Sequence, residues 1–277
     1  MTSFIAAAIQ MDSQDDKRAN LAAAEGYIRE AAAGGAQLVV LPESMNYIGR
    51  DIAGQAEPIP QGPTCTRLSA LARELKIWLQ GGSIYETNPE DPARPFNTTF
   101  LIDPEGQLVA KYSKLHPFDV VLPNGVTSRE SDRVAPGHAV VTVDTEWFRA
   151  GMAICYDIRF PEMFRLMALE GAKLFLVPAN FTVNTGKDHW EILLRARAIE
   201  NECYVVAANQ MGKKPRFTAY GNSMIIDPWG TVIARSSDKP GIILAEIDPE
   251  YVTRVRQSTF TLDNRRPDVY ELNKKRL

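Results

Sequence analysis

The sequence predicts an α/β protein built from two related β-rich halves, with two sheets held between helices. Three observations carry that reading: short apolar runs alternate with stretches of helical period, two hairpins of matching design sit among them, and one apolar run with its proline occurs twice.

The elements follow in order. IAAAIQM (5–11) is short, apolar and strand-like, and residues 16–33 then change to helical period. LVVLPE (38–43) is the next strand, followed by a helix over 65–77. NTTFLIDPEGQLVAKYSK joins two strand-like runs through a D-P-x-G turn. A helix is predicted over 161–171, with Pro161 at its first position and Glu162 favoured there by the helix dipole. LFLVPAN (174–180), a helix over 188–202, the strand YVVAAN and the hairpin NSMIIDPWGTVIARSS complete the series. AQLVVLPE (36–43) and AKLFLVPA (172–179) are the repeated run. Pro42 matches Pro178, but Glu43 faces Ala179, so the scaffold does not require a glutamate there.

At 277 residues and 45% hydrophobic content the chain can bury a large core, and no linker-like stretch divides it, so a single domain over 1–277 is expected. Lys and Arg are scattered and the net charge is -3, which argues against nucleic-acid or anionic-membrane partners. MTSFIAAAIQMDSQDD carries acidic residues where a secretory signal needs a cleavage site, and no apolar run reaches membrane-spanning length. A cytoplasmic protein is expected. Cys65, Cys155 and Cys203 lack CxxC spacing, which argues against a disulfide framework and a zinc site.

No GxSxG elbow, P-loop, GxGxxG or HExxH is present. Cys155 is the leading nucleophile: in GMAICYDIRFPE an apolar strand ends on it and breaks into polar residues, a placement that projects a side chain into the crevice where α/β proteins bind ligands. The alternative is a buried inert thiol, the reading kept for Cys65 and Cys203. Alternation along LVAKYSK puts Lys114 on the face of Leu108, Ala110 and Tyr112, so it points inward and needs a carboxylate. An exposed strand-end lysine is its alternative, and a surface carboxylate is the alternative for Glu43. His116 or His189 could instead pair with a cysteine in a Cys-His thiol hydrolase, and a non-catalytic small-molecule binder is the remaining class.

LPES (41–44), KYSKLHPFDV (111–120), GMAICYDIRFPE, LLRARAIENECYVVAANQ (193–210), YGNSMIIDPWGTVIAR (220–235) and RRPDVY (265–270) together resemble the nitrilase superfamily of carbon-nitrogen hydrolases. The likeness spans nearly the whole chain. It implies an αββα four-layer sandwich with an internal pseudo-twofold repeat, a homodimer or higher homo-oligomer, and a Glu-Lys-Cys triad falling on Glu43, Lys114 and Cys155. The Tyr156 backbone N–H is expected as a second oxyanion donor and Glu130 as the carboxylate that orients Lys114. Neither a metal nor an organic cofactor is expected. Asp157 and Glu162 are read as structural.

Cys-Tyr-Asp resembles the amidase branches, and the flanking stretches resemble most the deaminated-glutathione amidases, with ω-amidases acting on α-ketoglutaramate and N-carbamoyl amino acid amidohydrolases as alternatives. The implied partner is a small amide bearing a carboxylate. Arg159 is the expected fork for that carboxylate, with an ion pair to Asp157 or Glu162 as its alternative, and Phe181 and Thr185 are expected to line the pocket. Glu191 is placed to pair with Arg195 at i,i+4. Lys213, Lys214 and Arg216 form a basic loop, either a pocket rim for a distal carboxylate or a solvated charge run.

Overall fold

The structure is a computed structural model and describes residues 2–121 and 127–275. The chain runs β1 (Phe4–Gln10), α1 (Lys17–Ala33), β2 (Leu38–Val40), α2 (Pro63–Leu75), β3 (Trp78–Glu86), β4 (Phe96–Ile102), β5 (Leu108–Ser113), β6 (Asp119–Val121), β7 (Thr127–Arg129), β8 (Thr142–Asp144) and β9 (Arg149–Met152). It continues through α3 (Pro161–Leu169), β10 (Leu174–Ala179), α4 (Val183–Thr185), α5 (Glu191–Asn201), β11 (Tyr204–Asn209), β12 (Met211–Lys213), β13 (Thr218–Tyr220), β14 (Met224–Ile226), β15 (Val232–Arg235), β16 (Gly241–Ile247) and α6 (Pro249–Thr259).

Two six-stranded sheets have the orders β16-β1-β2-β3-β4-β5 and β15-β14-β11-β10-β9-β8. Each has three parallel central strands, β1-β2-β3 in one and β9-β10-β11 in the other, with antiparallel strands on both flanks. The parallel strands read as continuous apolar runs because both their faces are covered.

Alternation divides the first sheet between two cores. Ala6, Ala8, Leu38 and Val40 face the other sheet and pack with residues such as Leu174 and Val206. Ala7, Ile9, Val39 and Leu41 face the other way, onto Ile28 of α1 and Leu68 of α2. Phe164 of α3 and Leu194 of α5 join the core around the second sheet. The layers are therefore helices, sheet, sheet, helices, as the family resemblance implied.

The paired hairpins match bond for bond. In the first, Asp103 N–H donates to the Gln107 carbonyl at 3.0 Å and Gly106 N–H to Asp103 at 2.9 Å. In the second, Asp227 donates to Thr231 at 3.0 Å and Gly230 to Asp227 at 2.9 Å. Asp103 Oδ1 and Asp227 Oδ1 each accept further backbone N–H groups within the turn. The helix α6 lies outside the helical periods seen in the sequence, because only Pro249, Val252 and Val255 of it are buried. Among the described residues, no helix is long and apolar enough to cross a membrane.

Candidate active site

Glu43 stands just beyond β2, where Pro42 turns the chain between the sheets. Its N–H donates to the Ala179 carbonyl at 3.3 Å, and its own carbonyl accepts Gln210 Nε2 at 3.0 Å. Ser44, at φ 53, occupies the left-handed region and donates its N–H to Ser83 Oγ at 3.0 Å. β3 passes close behind: at Gly82, φ +61, a Cβ would lie 2.2 Å from the Pro42 carbonyl oxygen, so a side chain there would push the corner away.

Lys114 follows β5 and is 2% exposed, as the alternation of LVAKYSK required. Its Nζ donates to Glu43 Oε1 at 3.0 Å and to Glu130 Oε2 at 2.9 Å. Glu130 is fixed in turn, because the same Oε2 accepts the Phe118 N–H at 2.5 Å. Burial alone pulls the Lys114 pKa down, but the charges of Glu130 and Glu43 outweigh it and hold it well above the usual 10.5. The charged ammonium is the favoured form.

Cys155 opens a 3-10 turn, Cys155–Arg159, in the left-handed region at φ 49. A non-glycine residue is held there only when its surroundings impose the conformation. Asp157 imposes it. Fully buried, its carboxylate accepts the Ile154 N–H at 2.8 Å and the Tyr112 hydroxyl at 2.7 Å, and lies 2.7 Å from His116 Nδ1. Arg197 Nε holds the far side of the turn through the Ile158 carbonyl at 2.9 Å. Tyr156 is the second residue of the turn, and the opening N–H groups of a helical turn have no carbonyl within it to bond. Burial pushes the Cys155 thiol well above the usual 9.0, the Glu43 charge adds to this, and Lys114 with the Asn180 N–H only partly opposes it. Burial and the Glu43 charge thus favour the neutral thiol over the thiolate.

Arg159 makes no ion pair among the described residues, so neither Asp157 nor Glu162 neutralises it. Its guanidinium lies 5.6 Å from the centre of the Tyr156 ring and 5.4 Å from that of Phe181, with Nη2 3.3 Å from His189 Nδ1. Phe181 is buried, and its backbone is fixed through Asn209 and Tyr220. Thr185 is also buried, and its hydroxyl is 3.3 Å from that of Thr182. His116 is bound to Asp157 and stacked on Phe160, which leaves a pairing of Cys155 with His116 unsupported. Burial raises Cys65 to about 11 and Cys203 to about 12. Glu191 pairs with Arg195 at 3.4 Å.

The basic loop is corrected in one residue. Lys214 is neither a rim cation nor solvated: it is 3% exposed, and its Nζ donates to Asp12 Oδ1 at 2.7 Å and to the Ser13 carbonyl at 2.9 Å. Lys213 and Arg216 remain exposed. The sequence reading also missed Asn97, whose Nδ2 donates to Glu43 Oε1 at 2.8 Å. The available signal was a polar residue opening the strand-like run NTTFLI.

Residues 5–257 match the carbon-nitrogen hydrolase family. The nitrilase and fragile histidine triad fusion protein of Caenorhabditis elegans is 41% identical over 272 residues, covering 96% of this chain, which spans only 62% of that protein. Its crystal structure superposes with a TM-score of 0.90 at 40% identity over 98% of this chain and 66% of that one. Omega-amidase NIT2 of Homo sapiens is 38% identical over all of both chains. Deaminated glutathione amidase of Homo sapiens is 40% identical over 96% of this chain and 83% of its own length. An amidase mutant from Nesterenkonia sp. AN1, carrying the acetamide moiety of fluoroacetamide on its active-site cysteine, has a TM-score of 0.79 at 26% identity, covering 96% of this chain and 95% of that one.

Proposed function

The chain belongs to the carbon-nitrogen hydrolase family, and from that premise we propose that it hydrolyses the terminal amide of a small carboxylate-bearing amide, deaminated glutathione first, with Glu43, Lys114 and Cys155 as catalytic residues. The observation that carries this is the buried Lys114 ammonium bonded to both Glu43 and Glu130, with the Cys155 thiol close enough to feel the charges of Glu43 and Lys114.

In this reading Glu43 takes the Cys155 proton as the sulfur attacks the amide carbon. The oxyanion is held by Lys114 Nζ and the Tyr156 N–H, donors that act strongly in so buried a site. Glu130 is a positioning residue, since it holds Lys114 and stays out of the reaction. Glu43 returns its proton to the amide nitrogen, the C–N bond breaks, and ammonia leaves a thioester. Water then enters, Glu43 removes its proton, and hydroxide attacks the thioester carbon. Collapse releases the acid, and the sulfur regains its proton from Glu43. The acid, the base and the oxyanion donors of the cycle all belong to this chain, so the cycle calls on no metal or organic cofactor.

Arg159 is the recognition residue for the substrate carboxylate, supported by its lack of an ion-pair partner among the described residues and its seat on Tyr156 and Phe181. Phe181 and Thr185 form the wall beside it. The full-length likeness to omega-amidase makes α-ketoglutaramate the second substrate reading. One catalytic domain, a homodimer and a cytoplasmic site of action complete the proposal, the first supported by a core continuous between both sheets. Ammonia release is to be measured from deaminated glutathione, α-ketoglutaramate, an N-carbamoyl amino acid and a simple nitrile. Deaminated glutathione should give the highest kcat/KM, with none from a Cys155→Ser variant. Preference for the nitrile, or turnover by that variant, contradicts the proposal.

A further inference from the structure

We infer that Asn97 aims the general base: it fixes which oxygen of Glu43 is presented to the Cys155 thiol. This rests on the triad reading above. Asn97 is 1% exposed. Its carbonyl accepts the Lys114 N–H at 2.8 Å, and its side-chain Nδ2 donates to Glu43 Oε1 at 2.8 Å. One residue thus holds the lysine by its main chain and the glutamate by its side chain. Lys114 Nζ reaches the same Oε1 at 3.0 Å. With two donors on Oε1, Oε2 is the oxygen left to receive the thiol proton.

The other end of the Asn97 amide points the same way. Its Oδ1 is buried without a hydrogen-bond partner among the described residues. An unbonded buried acceptor opposes folding. Turning the amide over would set its oxygen against the Glu43 oxygen, acceptor against acceptor, so Glu43 fixes its orientation. The terminal torsion of a glutamate is broad and two-fold. Lys114 alone, a single point contact, leaves the carboxylate free to swing on that torsion; the second donor stops it. In the other half, the position equivalent to Asn97 by the matched hairpin turns is Gly221, and no carboxylate stands at Ala179 to be aimed.

The test compares Asn97→Leu and Asn97→Ser with the unmodified chain, using the amide of highest kcat/KM from the panel above, at temperatures where both variants are folded. Both kcat and kcat/KM should fall together by about ten-fold or more, part of the roughly 10²–10⁴ that a positioned base supplies. The melting midpoint should change little, since leucine also removes the unbonded oxygen, and Glu43 keeps Lys114. Unchanged kcat in either folded variant, or a loss confined to KM, overturns the aiming role. Turnover by Cys155→Ser would instead overturn the triad reading, so the two failures are distinguishable.

Discussion

The two halves of the molecule share their backbone down to single turn hydrogen bonds and diverge at the side chains that converge on the candidate site. Glu43 stands where the second half has Ala179, and Lys114, by the matched turns, where it has Asp238. The relation reverses for the nucleophile. β1 pairs Ala6 with Leu38 as β9 pairs Ala150 with Leu174, and counting on from those partners puts Cys155 opposite Met11, a buried core residue. One half therefore supplies Glu43 and Lys114, and the other supplies Cys155. At two of these positions the scaffold carries an apolar residue, Ala179 and Met11, so the fold does not require Glu43 or Cys155 there.

The sharpest way to break that contrast is Glu43→Ala, which gives the first half the residue its counterpart already carries. Turnover should fall by roughly 10²–10⁴-fold, the contribution of a positioned base, while circular dichroism reports an intact fold. Unfolding would show that Glu43 is part of the scaffold. Lys114→Met should cost about 10²–10³-fold in kcat through the lost oxyanion donor. It also leaves two carboxylates facing each other unpaired in a buried site, a change of about 3–5 kcal/mol, so its urea midpoint should drop as well. The two substitutions thus separate chemistry from stability within one cluster.

Much of this was legible in the sequence because period and position constrain it. The D-P-x-G turns located both hairpins, and alternation along LVAKYSK placed Lys114 inward. The echo of AQLVVLPE with AKLFLVPA exposed Glu43 as the residue the scaffold did not need. What stayed hidden depends on contacts between distant segments. The charge run at Lys213–Arg216 concealed that Lys214 is buried against Asp12, since nothing local distinguishes it from its exposed neighbours. Asn97 has no partner near it in sequence; its function exists only once β4 lies beside the Glu43 corner.

A smaller effect sharpens the contrast between the candidate nucleophile and the two structural thiols. Burial raises Cys65 from 9.0 to about 11 and Cys203 from 9.0 to about 12. The fold therefore favours their neutral forms. Their contribution to stability is complete below pH 9 and is lost as the pH rises from 9 through 11 to 12. The melting midpoint should fall across that window, and Cys203→Ala should flatten the decline. An unchanged slope in that variant would remove Cys203 from this account. The smallest effect belongs to Lys213 and Arg216: replacing both with Gln should raise KM for deaminated glutathione more than for α-ketoglutaramate, most clearly at low salt. Equal effects on both substrates would leave the loop as a solvated charge run.

The central claim is that one thiol, that of Cys155, carries the activity. Incubation with fluoroacetamide, followed by peptide mapping and residual ammonia release, tests it most directly. A single acetamide adduct on Cys155 should accumulate in step with the loss of activity, leaving Cys65 and Cys203 unmodified. Full modification of Cys155 with activity retained, or inactivation accompanied by label elsewhere, would contradict it.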